Sequence, residues 1–141
     1  QNSIRHLALV PGGVAFAMQW EGDPAEPVPQ LGIWQPGTAP VLCPPADAAM
    51  FAMQGYAGSI AATQTRIAIT SPRGGVVMLF DMAGQPIATH RRADICGVAA
   101  SGDGFLASDG SGALWHVRDA GLQPASSGGP RWDNHMVALT L

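Results

Sequence analysis

The chain has 141 residues, of which 47% are hydrophobic and 12% charged, which supports one domain with a packed core and excludes a disordered polymer. All of its seven basic residues are Arg, set against ten acids for a net charge of −3, so no basic stripe exists to neutralise phosphates and nucleic acid is not an expected partner. No apolar run approaches the roughly 18–20 residues of a membrane-spanning helix, so no membrane insertion is expected, and twelve prolines with eighteen glycines spread without a period punctuate many short elements, which favours an all-β class.

Read in order, the first residues, Gln1-Asn2-Ser3-Ile4-Arg5-His6, lack the charged and apolar regions of a signal peptide, and without an initiator Met the chain reads as mature or truncated, which is compatible with a removed export signal. A first unit of strands is expected over 6–10, 14–20, 31–35 and 39–43, interrupted by the acidic, Pro-rich loop from Glu21 to Gln30. The segment Asp47 to Gly55 is the single helix candidate, one or two turns with an Asp start and a Gly stop. The clearest hairpin follows. Arg66 to Thr70 and Val76 to Asp81 are β-branched, apolar runs joined by Ser71-Pro72-Arg73-Gly74-Gly75, in which Pro presets φ and Gly supplies positive φ. Strands are expected at 58–63, 66–71, 76–81 and 86–90 in this second unit, and at 96–100, 105–108, 113–117 and 122–126 in a third. Residues 135–140 offer one more strand.

These units repeat. Ile60-Ala61-Ala62, Val98-Ala99-Ala100 and Met136-Val137-Ala138 are spaced by 38 residues, and Leu7-Ala8-Leu9 precedes the second unit by 53, the excess lying in two loops. A period near 38 with four short strands matches the roughly 40-residue blade of a β-propeller. The expectation is therefore a single domain over 1–141, a β-propeller fragment of about three four-stranded antiparallel blades (about 5–43, 58–90 and 96–126) plus one closing strand at 135–140. Three blades and a strand cannot close a ring, so N-terminal blades missing from this chain are the first expected partner.

Cys43 and Cys96 are too few and too isolated for a disulfide scaffold or a zinc ribbon, and read as free, buried thiols. Gly102-Asp103-Gly104-Phe105-Leu106-Ala107 matches a dinucleotide-binding string, but a strand rather than a helix follows it, so it is a hairpin turn. Asp109-Gly110-Ser111-Gly112 is likewise a turn, and Arg91-Arg92 a solvated connection. The methionines at 50, 53, 78 and 82 read as core filler, and no catalytic motif stands out.

Propeller geometry places the entry to each innermost strand and the loop between the second and third strands on one face. That gathers Arg5, His6, Tyr56, Asn134 and His135 at one mouth of the central channel, with Arg73 on the same face, as the ligand-binding set. His6 and His135 facing one channel can ligate a transition metal, with Asp133 as a carboxylate ligand; the competing reading makes each a strand cap, and Trp132-Asp133-Asn134-His135 a closure device with Trp132 packed between blades.

Ser3-Ile4-Arg5-His6-Leu7, Met18 to Gly22, Thr70 to Gly74, Cys96-Gly97-Val98-Ala99 with Asp103-Gly104-Phe105, and Trp132 to His135 occur in an order that resembles the C-terminal part of the bacterial domain-of-unknown-function family 1513. The resemblance implies a seven-bladed propeller exported to the periplasm and encoded beside imelysin-type, peptidase-like proteins of iron uptake. Together these readings point to a non-enzymatic periplasmic binding or scaffolding propeller, with a periplasmic protein as a further partner and no cofactor assigned. The alternative is a metal-assisted hydrolase of the lactonase-like propeller type.

Overall fold

The two central strands of the second unit show how the alternation of side chains builds the fold. In the computed structural model, which describes residues 2–23, 25–44, 51–133 and 135–139, Ile67 and Ile69 point to one side of their strand and Ala68 to the other. Val76, Met78 and Phe80 face with the isoleucines, whereas Val77 and Leu79 face with the alanine. A strand buried on both faces must lie between two other layers, and this sheet does.

It consists of β5 (Ser59–Ala62), β6 (Ile67–Ser71), β7 (Val76–Phe80) and β8 (Pro86–Arg91), hydrogen-bonded in that order. On one side lies the sheet of β1 (Asn2–Val10), β2 (Gly13–Trp20), β3 (Leu31–Trp34) and β4 (Val41–Leu42). On the other lies the sheet of β9 (Ile95–Ser101), β10 (Gly104–Asp109), β11 (Leu114–Arg118) and β12 (Gly121–Ser126). All pairings are antiparallel. The first seam buries Ala15, Ala17 and Leu31 against Ile60, Ile67, Ile69, Val76 and Met78; the second buries Ala68, Val77 and Leu79 against Ile95, Val98, Phe105 and Val117. Each seam interleaves small and large side chains from the two sheets, so the sheets pack closely.

The expected strand pattern is realised with small boundary shifts, and the two later sheets keep the 38-residue offset: Ile60 pairs with Ile69 and Val98 with Ala107. Strand β1 begins at Asn2 rather than residue 6, because Asn2, Ser3 and Ile4 continue the ladder to Trp20, Gln19 and Met18 beyond a bulge at Arg5. The first part of the helix candidate, residues 47–50, lies outside the described residues; Ala52 to Gly55 form a turn that ends with Gln54 and Gly55 at φ 51° and 67°. The closing strand of 135–140 is not formed within this chain: residues 135–139 carry no ladder, and Thr140 lies outside the described residues.

Both cysteines are free and buried. Cys43 ends the outer strand of the first sheet, where burial and the nearby Asp81 push its thiol pKa up, and Cys96 sits in β9 with its thiol against Ser108 and the Trp132 carbonyl. No described helix is long and apolar enough to cross a membrane.

Candidate functional site

Strands β1, β5 and β9 are the innermost of their sheets, and each starts on the face that also carries the β2–β3, β6–β7 and β10–β11 connections. The residues 6, 59, 97 and 135 are separated by 53, 38 and 38, so His6, Ser59, Gly97 and His135 hold the same place in successive repeats. The structure brings the two outer members of that set together. The ring centroids of His6 and His135 are 5.3 Å apart, tilted at 60°. Burial, then the neighbouring His135 and Arg5, lowers the His6 pKa below its ordinary value, which favours the uncharged imidazole.

Gly97 lets the C-terminal segment lie close: a Cβ built there would lie 2.8 Å from Ser108 Oγ, 3.2 Å from the Asp133 carbonyl oxygen and 3.3 Å from Met136 Cβ, so a side chain would push the segment outward. The Gly97 amide donates to Ser108 Oγ of β10 at 3.1 Å, and the Cys96 thiol reaches the Trp132 carbonyl of the C-terminal segment at 3.7 Å. Trp132 is 40% exposed rather than wedged between blades.

The other expected site residues divide into two pairs. Arg5 Nη2 donates to Glu21 Oε1 at 3.2 Å, which turns the guanidinium toward the acidic loop. Arg73 lies over the Tyr56 ring at 4.9 Å, a cation–π contact between the β6–β7 turn and the segment entering β5. Asn134 lies outside the described residues. Among the described residues no group of three or more His, Cys, Asp and Glu gathers as a metal cluster.

Further out on the same face is an arrangement that the sequence reading missed. Asp109, with no side-chain exposure, accepts Arg92 Nη2 at 2.7 Å, Arg92 Nε at 2.8 Å and Trp115 Nε1 at 2.9 Å on one oxygen. Its other oxygen accepts the Ser111 hydroxyl at 2.6 Å, the Ser111 amide at 3.0 Å and the Ala113 amide at 3.1 Å. Burial alone would raise this pKa, but the hydrogen bonds from Ser111, Trp115, Ala113 and Arg92 outweigh it and hold the carboxylate well below its usual range. Arg92, read as solvated, instead stacks over the Trp115 ring at 4.4 Å while ion-paired, and so ties the connection after β8 to the β10–β11 turn. The available signal was the Asp-Gly-Ser-Gly turn itself, whose Asp is placed to accept amides two and four residues on.

On the opposite face, a groove of about 360 Å³ runs between the β5–β6 and β9–β10 hairpins, bordered by Arg66, Asp103, Phe105, Arg118 and Asp119. Its two arginines are already paired, Arg66 with Asp119 at 2.8 Å and Arg118 with Asp103 at 3.3 Å, which leaves no free cation to select an anion.

Three blade-like sheets packed face to face around converging inner strands define a fragment of a β-propeller. The crystal structure of the computationally designed Ika4 protein shares this fold, with a TM-score of 0.65 at 15% identity over 100% of this chain and 81% of that one. The family described as "Protein of unknown function (DUF1513)" matches residues 1–139, and the chain belongs to it. No curated protein matches the chain.

Proposed function

We propose that this chain is part of a non-enzymatic periplasmic binding or scaffolding propeller that captures a ligand or protein partner at the channel mouth marked by His6 and His135. The observation that carries the reading is the convergence of these two side chains, 129 residues apart in sequence, at equivalent places of the repeat. Arg5 with Glu21 and Tyr56 with Arg73 supply polar and aromatic groups on the same face. A hydrolase reading draws on the same imidazoles and requires a third metal ligand that the described residues do not gather. Export and a role beside an iron-uptake system rest on the family resemblance. Further blades of the same propeller complete the channel by docking on the outer face of the first sheet.

Photo-crosslinking in intact bacteria tests the reading. A benzoyl-phenylalanine at position 5 or 56 is expected to give one discrete adduct, and the same probe at Gln64, on the opposite face, none. Equal labelling at all three positions, or adducts only at Gln64, refutes it.

A further inference from the structure

We propose that His6 and His135 form a two-histidine site for one divalent transition-metal cation of the Zn²⁺ or Cu²⁺ class, held between β1 and the C-terminal segment. The proposal rests on the reading of this mouth as the binding site and names the class of its ligand. Two imidazoles bound through nitrogen to one metal at about 2.0–2.1 Å and a near-tetrahedral angle place their ring centroids roughly 5 Å apart. The observed separation of 5.3 Å matches that spacing.

The surroundings favour a cation over a second purpose for the pair. Ser59 and Gly97, the small residues at the two intervening places of the repeat, put no bulky side chain in that row. Arg5, the nearest fixed positive charge in sequence, is engaged by Glu21 at 3.2 Å, which offsets its repulsion of an incoming cation. A pure imidazole donor set selects borderline metals, since Ca²⁺ and Mg²⁺ take oxygen ligands. Two protein ligands leave the other coordination positions to water or to a donor from a bound partner, as in open metal sites. The ligands come from opposite ends of the chain, so the cation also clasps the C-terminal segment against the first sheet, and binding to the folded form alone raises stability with metal concentration.

Calorimetric titration of the tag-free chain with Zn²⁺, Cu²⁺ and Mn²⁺ in a non-coordinating buffer tests the site. One equivalent per chain is expected, with Cu²⁺ tightest and Mn²⁺ weakest. Loss of outer-shell partners alone weakens metal sites about 10–100-fold, so His6→Ala and His135→Ala should each cost at least about tenfold. His90→Ala and His116→Ala, which alter the remaining histidines, should leave affinity unchanged. The Cu²⁺ paramagnetic resonance spectrum should show coupling to two imidazole nitrogens in the wild type and one in each single variant. His6→Gln and His135→Gln keep the side chains polar; should either Ala variant melt low, the Gln variant must still lose the metal-dependent rise in Tm. Absence of a one-to-one event, or affinity that survives loss of His6 or His135, overturns the site. Neither result touches the crosslinking at positions 5 and 56, on which the broader reading stands or falls separately.

Discussion

Replacing Asp109 by Ala removes the acceptor at which the β8–β9 connection, the β10–β11 turn and β11 meet. The carboxylate is fully buried and accepts six donors, from Arg92, Trp115, Ser111 and Ala113. Breaking a buried ion pair by removing one partner costs about 3–5 kcal/mol. Here the cost falls to the lower end, because the Arg92 side chain is 35% exposed and regains water, as can the Ser111 hydroxyl. The Ala113 amide is buried and Trp115 Nε1 is partly so, and each donor orphaned in that way costs about 1–3 kcal/mol. The net expectation for Asp109→Ala is about 3 kcal/mol, with Arg92→Ala at about 1–2 kcal/mol because the carboxylate keeps its remaining donors. Urea unfolding reads this directly. With a slope of about 2 kcal/mol per molar, the midpoint of Asp109→Ala should fall by about 1.5 M with the slope unchanged. The Asp109–Arg92 double-mutant cycle should return a coupling of about 1 kcal/mol or more. A midpoint within about 0.3 M of wild type would refute the reasoning, because a carboxylate so enclosed cannot be lost at no cost if its hydrogen bonds are formed.

Acid should act on the same group. The folded-state pKa of Asp109 lies below the ordinary value of 3.8, so its contribution is present above that value and is lost as pH falls through the folded pKa. Urea midpoints measured from pH 5 down to pH 2 should therefore drop more steeply for wild type than for Asp109→Asn. Thr70 is fully buried, and its hydroxyl donates to the Cys96 carbonyl across the second seam; Thr70→Val should cost about 1–2 kcal/mol by orphaning that carbonyl, read from thermal unfolding. Gly97→Val should expose the C-terminal segment to protease cleavage after Arg131 several-fold faster than wild type, since a side chain there collides with Ser108, Asp133 and Met136. Arg66→Ala should leave the urea midpoint unchanged, because the Arg66–Asp119 pair is solvent-screened.

The architecture was legible because its signals are local. Turn chemistry at Ser71 to Gly75 and at Gly102 to Gly104 fixes where strands reverse, and the 38-residue interval fixes that the same reversal happens again. The meeting of His6 with His135 was not legible in this way: equivalent places in an incomplete ring put them on opposite flanks of an open fan, and they meet because the C-terminal segment lies against β9. What the sequence concealed are contacts between repeats at residues that differ from one repeat to the next. Asp109 occupies the place held by Ser71 in the preceding sheet, where the Ser71 hydroxyl accepts the Gly74 amide at 3.1 Å and donates to the Met53 carbonyl at 2.8 Å. A turn that needs one side-chain acceptor tolerates either residue, so nothing in the pattern marks that Asp109 also recruits Arg92 and Trp115. The length of β1 was hidden by its bulge, which shifts alternation by one at Arg5 and makes Ser3 and Ile4 look out of register.

The same equivalence explains the apolar outer face of the first sheet. Leu7, Val14 and Phe16 hold the places of Ile60, Ile67 and Ile69, and Trp34 that of Phe80, by the shared pairing of each with its neighbour. In the second sheet those places are buried against the first, whereas in the first sheet Leu7 is 66% and Leu9 84% exposed. On the proposed function, the exposed part of that row, Leu7 with the neighbouring Leu9 and Trp34, receives a preceding blade, whereas Phe16 is already buried within the chain. In the chain alone, Leu7→Ser with Leu9→Ser should therefore change stability by no more than about 0.5 kcal/mol per substitution, as for other surface positions. In a longer form that carries a preceding blade, the same pair should cost about 1.5–3 kcal/mol per leucine, the value of full burial. Thermal unfolding of both forms separates the cases. An equally small effect in the longer form would mean that the preceding blade does not cover this row, and the repeat argument for ring completion would fail with it.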